Sequence, residues 1–136
     1  MIIVSVDLGK ARTGLAISDK TGFLASPLTM VEEKSPQKIL EKVAKEVVDN
    51  KAELIVVGLP KNMDGTEGDS AKNARAFAQS LTELTGIKTV MQDERGTTVT
   101  AHGYLSARDV RGKKRKAQVD TVAAAIILQD YLDSNR

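Results

Sequence analysis

Apolar positions along the 136-residue chain fall into five short runs and three longer stretches of helical period. The first run, MIIVSVD, reads as a buried strand, and TGLAIS (Thr13–Ser18) as a second, joined to it by the glycine-bearing turn LGKAR. The turn DKTG (Asp19–Gly22) leads into FLASPLTMV, and the three runs predict an antiparallel meander. In SPQKILEKVAKEVVDNK, Ser35 can cap a helix and Pro36 fits its first turn, while Ile39, Leu40, Val43, Ala44, Val47 and Val48 form one apolar stripe. ELIVVGLP is apolar throughout, the pattern of a parallel strand covered on both faces. Residues Ser70–Thr85 predict a second helix with Ala71, Ala74, Phe77, Ala78, Leu81 and Leu84 inward and Gly86 at its end. IKTVMQDE supplies a fifth strand, TTVTAHGYLSA a short helix weakened by Gly103, and KAQVDTVAAAIILQDYLDS a long terminal helix.

This order predicts an α/β fold: a five-stranded mixed sheet, made of a three-strand antiparallel meander plus two parallel strands, with helices on both faces. The length suits one domain over residues 1–136, with no internal repeat or linker. Strands one, four and five would run parallel, and in such sheets ligands gather beyond the carboxyl ends of the strands. Asp7 stands at one such end, Gly58–Pro60 at another, and Asp93 with Glu94 at the third.

Asp7 raises a physical question, because it follows an apolar strand directly and an unpaired carboxylate there costs several kcal/mol unless a cation or hydrogen bonds offset it. On the last helix Asp120 shares a face with Ala123, Ala124, Ile127 and Tyr131 and so points inward, whereas Asp130 and Asp133 face solvent. Three acidic positions far apart in sequence are thereby expected to converge: Asp7, one of Asp93 and Glu94, and Asp120. Three adjacent carboxylates repel one another, and divalent cations remove the conflict. An all-oxygen donor set favours Mg²⁺ or Mn²⁺, and a pair of such ions is the arrangement that supports phosphodiester cleavage. The structural alternatives are that Asp7 accepts backbone amides from its own turn, Asp120 caps a neighbouring element and Glu94 pairs with Arg95.

Composition narrows the setting. There is no cysteine, which excludes disulfides and thiolate metal sites and is compatible with a reducing compartment. No apolar run approaches the roughly 20 residues that cross a bilayer, and the first residues lack the basic flank of an export signal, so the expected protein is cytoplasmic with no membrane partner. The formal charge of +2 is unevenly spread: RDVRGKKRK (Arg108–Lys116) holds six basic residues and one acidic, leaving 14 basic against 17 acidic elsewhere. Such a run is either a solvated loop or a phosphate-binding patch. The sole histidine, His102, is expected to be an ordinary surface or boundary residue, since a metal-activated water needs no histidine base.

Four segments, DLGKARTGLAISD, LIVVGLPKNMDGTEGD, DERGTT and KKRKAQVDTVAAAIIL, together resemble the YqgF family, also called RuvX, over essentially the whole chain. The resemblance implies an RNase H-like fold, kinship with RuvC-type Holliday-junction resolvases and a nuclease role in maturing the 5′ end of pre-16S rRNA. It makes Asp7, the acidic pair of DER and Asp120 the metal ligands of a two-metal Mg²⁺ or Mn²⁺ site, with Asp7, Glu94 and Asp120 catalytic and Glu94 favoured over Asp93. Family members usually carry a bulky apolar residue after DER, where this chain has Gly96.

The implied partner is nucleic acid, either pre-16S rRNA or branched DNA, bound by a monomer or weak homodimer. Arg12 in the first turn, Lys61 and Asn62 in the glycine-rich loop, Arg95, and Arg111, Lys113, Lys114, Arg115 and Lys116 of the basic run are the candidate contacts to its phosphates. With two Tyr and two Phe in the chain, stacking on successive bases cannot be the main grip. Two other readings stay open: a non-catalytic ribosome-assembly factor, and an actin-like or sugar-kinase-like ATP site suggested by DLGKARTG. The length argues against the second, because those enzymes close two such domains around the nucleotide.

Overall fold

A computed structural model describes residues 1–62, 64–93 and 112–135, and of 112–120 only the course of the helix. The strands are β1 (Ile3–Asp7), β2 (Arg12–Ser18), β3 (Ala25–Glu32), β4 (Leu54–Leu59) and β5 (Thr89–Asp93), and the helices α1 (Pro36–Asp49), α2 (Asp69–Thr85) and α3 (Gly112–Ser134). They form one sheet in the order β3-β2-β1-β4-β5. β1 pairs antiparallel with β2 and β2 with β3, while β4 runs parallel to both β1 and β5. This is the expected meander plus two parallel strands. The short helix expected over 97–107 lies outside the described residues.

Alternation along the strands builds two cores. Val4, Val6, Leu15, Ile55 and Val57 face α1 and α2, where Ile39, Val43, Val47, Ala74, Ala78 and Leu81 complete the layer. Ile3, Ala16, Leu54 and Val56 face α3, against Ala124, Ile127, Leu128 and Leu132. Each large side chain buried here stabilises the fold by about 1.5–3 kcal/mol relative to exposure. β4 is buried at all six positions, as its unbroken apolar run requires for a strand between two others with helices on both faces.

Local chemistry sets the boundaries. The Ser35 hydroxyl accepts from the Lys38 N–H and Pro36 opens α1, so both expected signals act where they stand. Gly86, at φ 73°, closes α2 in the left-handed conformation that glycine adopts without strain. Two stripe positions differ from expectation: Val48 is 54% exposed and Leu84 55% exposed. Both lie in the final turn of their helices, where the stripe runs out from under the sheet. α3 begins at Gly112, four residues before Lys116, so the basic residues Lys113–Lys116 open the helix instead of preceding it. Lys and Arg are good helix formers, and nothing between Gly112 and Val119 interrupts them. Among the described residues no helix is long and apolar enough to cross a membrane.

Candidate active site

The carboxyl ends of β1, β4 and β5 lie at one end of the sheet, and alternation decides which side each terminal residue serves. Along β1, Ile3 packs on the α3 side and the Ser5 hydroxyl donates to the Ala124 carbonyl of α3 at 2.6 Å, while Val4 and Val6 face α1 and α2. Asp7, half-buried, therefore takes the α3-facing register, and its successor Leu8 the opposite one. The chain then reverses tightly enough for Gly14 to pair with Asp7. Gly9 permits the reversal: a Cβ there would stand 2.1 Å from the Arg12 carbonyl oxygen, inside any real contact distance.

The Ser5–Ala124 hydrogen bond also fixes the level of α3. The helix runs antiparallel to β1, since Gln129 farther along it accepts from Ala25 N–H at the opposite end of the sheet. From Ala124 back to Asp120 the helix climbs about 6 Å at 1.5 Å per residue. From Ser5 to Asp7 the strand climbs about 6.6 Å at 3.3 Å per residue. By these ideal rises the backbone positions of Asp7 and Asp120 come to about the same level on adjacent elements. Asp120 also occupies the helical stripe that continues into buried Ala123, Ala124 and Ile127.

On β5, Val90 packs with the α3-side core and Met91 with the α1/α2-side core. Asp93 shares the register of Met91 and so falls on the face opposite Asp7. Glu94, Arg95, His102 and Arg111 lie outside the described residues. Of Lys113, Lys114, Arg115 and Lys116 the structure describes the helical backbone, at the start of α3 beyond Asp120.

In the loop between β4 and α2, hydrogen bonds join the residues on either side of its glycine turn. Lys61 and Glu67 form a bridge, and the Asn62 amide donates to the Thr66 hydroxyl at 2.9 Å, which donates to Asp64 at 2.6 Å. Gly65, at φ 91°, makes the turn. Arg75 of α2 then holds Glu67 with two hydrogen bonds of 2.8 Å, and this donation keeps the Glu67 carboxyl below its ordinary range. Sequence reading missed this tie, which joins residues eight apart across a loop. Arg12, a candidate phosphate contact, stands 3.8 Å from Glu32 in a solvent-exposed pair of little energetic weight.

Among the described residues no three His, Cys, Asp or Glu side chains gather within a metal's reach. The donor chemistry nevertheless fits Mg²⁺ or Mn²⁺. The acidic candidates supply only hard oxygens, and the chain has no thiol.

A family model described as RuvX: Holliday junction resolvase matches residues 1–134. A Clostridium botulinum protein named "Putative pre-16S rRNA nuclease" is 44% identical over 133 residues, covering 98% of this chain and 97% of that one. A Shouchella clausii protein of the same name is 41% identical over 135 residues, covering 98% and 95% respectively. Among solved structures, Thermus thermophilus RuvC in complex with a Holliday junction substrate superposes with a TM-score of 0.62 at 15% identity, covering 98% of this chain and 94% of that one. This last likeness shows the fold, the RNase H-like one expected.

Proposed function

Since this chain belongs to the RuvX family, we propose that it is a metal-dependent nuclease that hydrolyses phosphodiester bonds of structured nucleic acid, with precursor 16S rRNA as substrate. The observation that carries the reading is the Ser5–Ala124 hydrogen bond, from which ideal rises along β1 and α3 bring Asp7 and Asp120 to about the same level. Asp7, Glu94 and Asp120 would hold Mg²⁺ or Mn²⁺. Glu94 is preferred to Asp93 because Asp93 takes the register of the other face. When bound, a pair of such ions lowers the pKa of the attacking water and stabilises the leaving oxygen.

The chain's own groups would do the rest. Asp7 and Asp120, borne on rigid elements, fix where the cut falls. Lys61 stands at the neighbouring strand end, bridged to Glu67, with Asn62 bonded to Thr66. Arg12, Arg95, Arg111 and the basic start of α3 would neutralise flanking phosphates, so that affinity falls steeply with salt.

The test is Mn²⁺-dependent cleavage of a pre-16S rRNA fragment by Asp7→Asn and Asp120→Asn proteins. Each should lose at least about a hundredfold in rate, since changes merely adjacent to metal ligands already cost 10–100-fold. Undiminished cleavage by either variant overturns the site. The description of the matching family model favours one second reading, junction resolution. A four-way DNA junction cut faster than the RNA fragment would replace the substrate while keeping the site. Cleavage of neither, with no Mn²⁺ binding by calorimetry, would leave a non-catalytic assembly factor.

A further inference from the structure

On the far side of the β1–β2 turn from Asp7, a cavity of about 540 Å³ opens between the first halves of α1 and α2. We propose that this cavity binds a nucleoside monophosphate unit, taken during function as an unpaired nucleotide of the strand whose phosphate lies at Asp7. The assignment deepens the nuclease reading and rests on it for that last clause.

Size and lining chemistry carry the inference. The volume lies within the range of small-molecule sites, roughly 300–1,000 Å³. Leu8 and the half-buried ring of Phe77 give it an apolar wall, the surface against which a base can stack. The amides of Gln37 and Asn73 line it too, and an amide both donates and accepts, as the edge of any base requires. Lys10 and Lys34 stand at the turn side, and among the described residues that line the cavity none is acidic. Among the described residues neither lysine ammonium enters an ion pair. Of the carboxylates around the opening, Glu33 is already engaged by Lys42 at 3.2 Å and by the N–H groups of Lys34 and Ser35, and Glu41 accepts from the Gln37 amide at 3.3 Å. The amino terminus of α1, whose first turn carries no acidic residue, flanks the same opening and adds to its attraction for a phosphate, whereas Asp69 offsets that of α2.

Connectivity explains why such a pocket would serve the cut. Asp7 and Leu8 are consecutive, yet alternation sends one towards α3 and the other into the cavity wall. A strand crossing the turn at Gly9 can therefore set a phosphate on one side and its neighbouring base on the other. A paired base cannot enter, so occupancy selects an unpaired nucleotide beside the scissile phosphate.

The test uses the isotope-labelled full chain without divalent metal, so it is independent of cleavage. Titrated with AMP, the side-chain amide signals of Gln37 and Asn73 should shift. Asn73→Ala should weaken binding about tenfold, the loss of one well-placed hydrogen bond. Ala76→Trp, at an exposed position of α2 that lines the cavity, should plug it and abolish the shifts while the remaining spectrum keeps its folded dispersion. A single-stranded oligonucleotide should shift the same amides at lower concentration than AMP, and a fully paired duplex should not. Unshifted amides with both AMP and the oligonucleotide, or AMP affinity untouched by Ala76→Trp, overturn the site. Binding of AMP but not of the oligonucleotide overturns its role on the strand.

Discussion

The two faces of the sheet are built on different plans. On one, α1 and α2 lie side by side, each with a single buried stripe and an exposed back, and at their amino ends they part to leave the cavity beside the β1–β2 turn. On the other, α3 is the one helix among the described residues, and from Thr121 to Gln129 none of its residues is exposed. Its alanines keep the helix close enough for the Ser5 hydroxyl to reach a main-chain carbonyl. A two-helix layer can leave room between its members, whereas a small-residue helix can lie close against the sheet. The close-packed face suits carboxylates that must stay fixed, and the open face suits a group that must enter and leave. Asp7 and Leu8, consecutive residues of β1, connect the two.

Core truncations test this difference most strongly. Leu81→Ala on the α1/α2 face and Leu128→Ala on the α3 face should each cost about 2–5 kcal/mol, read from denaturant unfolding, because both side chains are fully buried. Their effects on cleavage should diverge where both proteins remain folded, with Leu128→Ala losing more since its helix carries Asp120. Equal losses of activity would remove the functional distinction between the faces.

A smaller effect should come from the hinge between them. Gly9→Ala forces its new methyl against the Arg12 carbonyl, and overpacking of this kind costs about 1–3 kcal/mol. Thermal unfolding should show that loss, accompanied by falls in both cleavage and AMP binding, because the displaced turn serves both sides. A loss confined to one function would show that the sides are positioned separately.

Thr13 sharpens the comparison in the opposite direction. Its hydroxyl is fully buried and has no hydrogen-bond partner among the described residues, one position along from the Asp7–Gly14 pair. Thr13→Val keeps the shape and removes a desolvated polar group whose penalty is about 1–3 kcal/mol, so the midpoint of unfolding should rise or hold. A clear destabilisation would mean that the hydroxyl has a bonding role.

The mildest perturbation is acid. Arg75 lowers the Glu67 carboxyl, so the tie contributes its stability fully above the ordinary glutamate range and loses it as pH falls through the lowered value. Amide exchange in residues 61–67 should quicken over that interval, and Glu67→Gln should remove the pH dependence. Both groups are at the surface, so global stability should change little.

Much of this fold was legible in one dimension. The order of strands and helices, the parallel and antiparallel pairings and most core positions follow from whether apolar residues recur every second residue, every third or fourth, or without a break. The stripe positions that failed, Val48 and Leu84, failed at helix ends, where periodicity persists but the surface beneath does not. Likewise, Lys113–Lys116 of the basic run read as a break in apolar period although their backbone is helical, because charge and helical conformation are independent properties. Asp7 and Asp120 stood out because a carboxylate among apolar residues is costly wherever the chain places it.

What the sequence could not supply was every relation that depends on two elements meeting. That Asp7 stands level with Asp120 required the Ser5–Ala124 contact, between residues 119 apart. That Asp93 belongs to the other face required the register of β5 against β4, since a shift of one residue reverses every side chain. The cavity belongs to no segment at all: it is the space left where two helices part, and a pattern of residues records what is buried but not the volume between them.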